Sequence, residues 1–109
     1  MNPQNVPQGG VNDVQVSTGW VAVGRIGGTF GQINFDGAEP LLQRPPAVTP
    51  GMSLAARWTV NLRKSSENVD AGNNPVLRVL QAGECVTPES AEELRGQVWA
   101  KVSVSACPG

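Results

Sequence analysis

Few residues in this 109-residue chain could do covalent or metal chemistry, and their spacing excludes most of what they could do. Histidine and tyrosine are both absent, which removes the commonest general base, the commonest zinc ligand and one frequent phenolic acid. The two cysteines, Cys85 and Cys107, make no CxxC pair. Without histidine they complete no zinc site and supply no Cys–His nucleophile. Two arrangements remain for them. One is a disulfide that pins the C-terminal end and implies an oxidising periplasmic or extracellular compartment. The other is two separate thiols in a cytoplasmic or virion protein. Glu89, Glu92 and Glu93 cluster on one short segment, whereas glycoside hydrolysis needs carboxylates on facing walls of a cleft. They read as a solvated face. Gly24, Gly27 and Gly28 join two expected strands with no Lys-Ser/Thr and no helix behind them, so they do not form a phosphate loop. The expectation is a protein with no catalytic residue, no metal and no cofactor, working by contact.

Charge narrows the contacts. Eight Lys plus Arg stand against nine Asp plus Glu, and only Arg63 and Lys64 are adjacent. Nucleic-acid binding, which rests on clustered cations displacing counterions, is not expected. No apolar run approaches the roughly 20 residues that span a bilayer, so no membrane insertion is expected either. The segment Met1–Asn5 carries neither the basic nor the apolar part of a secretory signal.

The residues left to make contacts must be positioned by strands. Thirteen Gly and nine Pro interrupt helices and suit short strands joined by turns, which predicts an all-β fold. Residues 1–12 read as a flexible arm. Within 13–37, alternation through Trp20-Val21-Ala22-Val23 and through Phe30–Phe35 about a Gly27-Gly28 turn predicts a hairpin burying Val21, Val23, Ile33 and Phe35. Residues 38–52 contain Pro40, Pro45, Pro46 and Pro50 and form an extended connector, laid along the surface by Leu41, Leu42 and Val48. Residues 53–109 hold the remaining strands, with one strand over Leu54–Leu62 carrying Trp58, Val60 and Leu62 on one face. A long loop covers Ser65–Asn74. One short helical turn is expected after Thr87, with Thr87 as N-cap, Pro88 in the first turn and Gly96 as its stop.

Asn61-Leu62-Arg63, a polar loop, Pro75-Val76-Leu77-Arg78-Val79-Leu80, Gly83-Glu84 and Val98-Trp99-Ala100-Lys101-Val102 follow one another in order. Together, over residues 54–104, they resemble the bacterial SH3-like domain family. The resemblance implies a small SH3-like barrel with a core of Val60, Leu62, Val76, Val79, Leu80, Val86, Val98 and Val102, to which the N-terminal hairpin is added. It also implies a binding module whose partner is a cell-wall glycan or peptide, or another protein. Trp20 and Trp99 alternate out of phase with their valine neighbours and should face away from the core. With Arg63 and the loop asparagines Asn68, Asn73 and Asn74 they are the candidate binding residues. Two other readings fit the same sequence: a structural or assembly subunit of a phage virion or secretion machinery, forming a homo-oligomer or ordering its arm on neighbours, and an inhibitor or immunity protein.

Overall fold

A computed structural model describes residues 17–66 and 74–108. The arm expected over 1–12 lies outside them, as do Asn68 and Asn73. Among the described residues seven strands form one antiparallel sheet: β1 (Thr18–Arg25), β2 (Phe35–Asp36), β3 (Leu54–Ala56), β4 (Val60–Arg63), β5 (Val76–Leu80), β6 (Cys85–Leu94) and β7 (Gln97–Ser105). Their order is β2-β3-β6-β7-β1-β4-β5. The fold is all-β, but the sheet is not closed into a barrel: among the described strands β2 and β5 stand at its two ends.

The sheet nevertheless curls hard, and chain connectivity requires it. β3 and β4 stand four places apart in the order, a distance of about 19 Å across a flat sheet. Ala56 and Val60 are joined by Arg57–Thr59 alone, and that much chain reaches about 14 Å. The two halves must fold toward each other around one core. Val21 and Val23 from β1, Phe35, Leu54, Leu62, Leu80, Val86, Val98 and Val102 all fill it. Leu41 is buried in the connector, and Leu42 and Val48 pack against the same cluster. The segment is not extended throughout: Glu39–Leu41 forms a 3-10 turn that seats Leu41 in the core.

Four further expectations are corrected. β1 is not the first strand of an added hairpin but sits in the middle of the sheet, paired with β7 on one side and β4 on the other. The segment after Gly27-Gly28 cannot run back along it as a strand, because Phe30–Gln32 is a 3-10 turn closed by Thr29 and Gln32. Only a Gly24–Ile33 bridge survives of that pairing. The helical turn after Thr87 is absent, because Cys85–Leu94 pairs with β7 along its whole length. Pro88, which cannot donate to a ladder, is accommodated at a bulge before Ser90. The strand expected over Leu54–Leu62 breaks at Arg57–Thr59, where the chain passes between the two halves, and this turns Trp58 outward while Val60 and Leu62 stay buried. Val76 and Val79 are exposed rather than core, because β5 is the last strand of the sheet and nothing described covers that side.

Gly96 ends no helix. With Arg95 it makes the two-residue turn of the β6–β7 hairpin, both at positive φ, 54° and 84°. The Gly96 N–H donates to a Glu93 carboxylate oxygen at 2.6 Å, and Arg44 lies 3.3 Å from the other oxygen. That N–H first, and the guanidinium second, hold the Glu93 carboxyl below the ordinary glutamate range. A carboxylate whose pKa is lowered by folding contributes stability above its unfolded pKa and loses it as pH falls through the folded value. Carboxyl NMR should therefore give Glu93 a midpoint below that of glutamate in an unfolded peptide; equal midpoints would contradict the contact.

Candidate functional site

Register brings three of the sequence-expected binding residues onto one outward face. Residues opposite one another in an antiparallel pair share a face. Trp20 stands opposite Arg63 on β4 and Lys101 on β7. One row along, Ala22 stands opposite Trp99, and Trp99 opposite Glu92. Trp20 and Arg63 are half-buried, whereas Trp99, although turned away from the core, is only 8% exposed. The small side chain of Ala22 leaves a depression between larger neighbours. The result is a cleft of about 270 Å³ lined by Ala22, Asn34, Thr59, Val60, Asn61, Arg63 and Trp99.

Close packing brings β1 and β4 together at this place. A Cβ on Gly19 would lie 2.8 Å from the Arg63 carbonyl oxygen and from Leu62 Cγ, closer than real atoms approach, so only glycine lets the strands meet here. Arg63 donates from Nη1 to the Asn74 carbonyl at 3.0 Å. Asn74 does not line the cleft. Its side-chain oxygen accepts from the Ser65 N–H and its amide donates to the Ser66 carbonyl, closing the base of the loop. It thereby positions Arg63.

At the other end of the cleft the structure adds residues that sequence reasoning missed. Asn34 donates to the Ala22 carbonyl at 2.8 Å and accepts from the Trp58 indole N–H at 2.9 Å. Its backbone N–H donates to the Val23 carbonyl, and its own carbonyl accepts from the Arg57 N–H. One asparagine thus ties β1 to the crossing segment Arg57–Thr59. Arg57 lies beneath Phe30, its guanidinium carbon 3.0 Å from the ring centroid, with the Trp58 ring at 4.9 Å. Nη1 donates to the Phe30 and Ile33 carbonyls, and Nε lies 3.7 Å from Asp36. Nη2 is buried with no hydrogen-bond partner. Phe30 is 74% exposed and Trp58 37%. Alternation alone put Trp58 on the core face, and no local signal could have moved it: the break that turns it outward follows from the places of β3 and β4 in the sheet order.

The site therefore runs from Phe30, Arg57 and Trp58, past Asn34 and Asn61, to Trp99, Trp20, Arg63 and Lys101. It offers aromatic faces, amides and cations, and one carboxylate, Glu92, on the sheet rows. Among the described residues no group of three or more His, Cys, Asp and Glu is placed to hold a metal, and no helix is long and apolar enough to cross a membrane. Cys85 and Cys107 are joined in a disulfide. No protein-family model, curated protein or solved structure matches the chain. Fold and site define an all-β domain with a curled open sheet and a cleft on its outer face.

Proposed function

We propose that this chain is a non-catalytic binding module that takes a cell-wall glycan with its peptide stem across the outer face of the sheet. The observation that carries the reading is the composition of a single cleft, where the tryptophan Trp99, the amides Asn34 and Asn61 and the cation Arg63 converge. Sugar rings stack on aromatic faces, acetamido and hydroxyl groups pair with side-chain amides, and the carboxylates of such a polymer suit Arg63 and the neighbouring Lys101. The likeness of residues 54–104 to bacterial SH3-like domains supports the same class of partner. The Cys85–Cys107 bridge suits the oxidising compartment in which that polymer is found.

Co-sedimentation with insoluble peptidoglycan tests the proposal. The protein is expected in the pellet at low and moderate salt, and its absence there would overturn the reading. Asn61 is exposed, so Asn61→Ala should leave the thermal transition within about 2 °C while weakening retention roughly tenfold, the scale of one lost contact in a well-packed site. Retention unchanged in that variant would move the site elsewhere.

A further inference from the structure

Among the described residues Trp20 alone of the aromatics has a cation opposite it on each neighbouring strand, Arg63 on β4 and Lys101 on β7. At one strand spacing to either side, the two cations start about 10 Å apart. Their long side chains reach the two edges of the indole between them. Neither charge is spent within the chain. The ion pairs Arg44–Glu93, Arg57–Asp36 and Arg78–Glu84 occupy other cations, whereas Arg63 and Lys101 have no carboxylate partner among the described residues. The carboxylates nearest on this part of the sheet are placed elsewhere: Glu89 accepts from the Ser103 hydroxyl, and Glu92 stands one row along, opposite Trp99. The residue facing Lys101 from β6 is Ser90.

The row is held in place by the fold. β4 bulges against β5 between Leu62 and Arg63, a device that re-aims a side chain; Leu62 stays in the core while Arg63 is half-buried on the outer side. Its Nη1 is tethered to the Asn74 carbonyl, and its other nitrogens are unclaimed among the described residues. Gly19, beside Trp20, fixes how closely β1 and β4 approach.

We infer that Arg63, Trp20 and Lys101 form a carboxylate-selecting subsite beside the cleft. The inference rests on the reading of this face as a cell-wall glycan–peptide site and names what the site selects: peptide stems with free carboxylates over the same stems carrying carboxamides. A carboxylate is acceptor-only, so both of its oxygens suit two cationic donors. A carboxamide loses twice over, because it carries no charge and turns an NH2 donor toward donors.

Titration calorimetry of this chain with a disaccharide–peptide fragment of peptidoglycan, as the free acid and with its carboxyls converted to carboxamides, tests this. The acid is expected to bind about tenfold more tightly at low salt, the scale of one charge-assisted hydrogen bond. The ratio should narrow as salt rises toward about 1 M. Lys101 is exposed, so Lys101→Gln should keep the thermal transition while cutting the ratio to about threefold, the scale of one solvent-exposed charge contact. Lys101→Arg should restore it. Acid and amide binding alike, or a ratio untouched by Lys101→Gln, would overturn the inference and leave the binding module standing. Failure of both forms to bind at millimolar concentration would overturn the module reading and the inference with it.

Discussion

Reduction of the Cys85–Cys107 bond is expected to remove about 3 kcal/mol of stability, the chain-entropy value for cysteines 22 residues apart. For a domain of this size that is a fall of about 15 °C in the thermal midpoint. The bond has this leverage because of where it lies. Cys85 pairs with Ser105 at the open end of the β6–β7 hairpin, and Cys107 stands two residues beyond, where the strand has ended. The Arg95-Gly96 turn closes the other end. Without the bridge nothing covalent holds the last residues to β6, and fraying would start beside Val86 and Val104. Calorimetry with and without reductant, repeated on the Cys85→Ser/Cys107→Ser double variant, checks this. A midpoint shifted by less than about 3 °C in both would show that the hairpin alone holds the end.

A comparable loss is expected at Phe35. The residue is 1% exposed although it stands on a two-residue strand at the margin of the sheet. It shares the core with Leu41 and Leu54, and its pairing with Ala56 holds β2 on β3. Phe35→Ala removes a buried ring from a site whose neighbours come from different segments, at an expected cost of about 3–5 kcal/mol. Phe30→Ala is the matched control: its ring is mostly in solvent, and removing it should cost about 1 kcal/mol, the scale of an exposed contact with Arg57. Urea denaturation of the two variants separates them. Equal losses would mean that Phe35 does not seat the connector.

That contrast shows what alternation can and cannot reveal. Phe30 and Phe35 fall on opposite faces of the strand expected over Phe30–Phe35, and the inward placement of Phe35, Val21 and Val23 was legible because a period of two survives wherever a chain runs straight for a few residues. The 3-10 turn at Phe30–Gln32 was not, because it depends on Thr29 and Gln32 closing on one another. The Thr87-Pro88-Glu89 signal is a sound helix start, yet a strand pairing along its whole length outweighs a cap. The break at Arg57–Thr59 follows from topology: β3 and β4 belong to opposite parts of the order, and no local preference in those three residues says so. For the site, the outward phase of Trp20 and Trp99 was readable from their valine neighbours. The bonds of Asn34 to Ala22 and Trp58 span 12 and 24 residues, and no spacing rule connects them.

The proposed ligand face is tested most directly by titrating this isotope-labelled chain with soluble disaccharide–peptide fragments of peptidoglycan and following amide, indole and side-chain resonances. Shifts are expected to concentrate at the Trp99 and Trp20 indoles, the Asn34 and Asn61 amides and Arg63, saturating together and weakened in Asn61→Ala. No shift at millimolar fragment, or shifts that bypass the cleft, would contradict it.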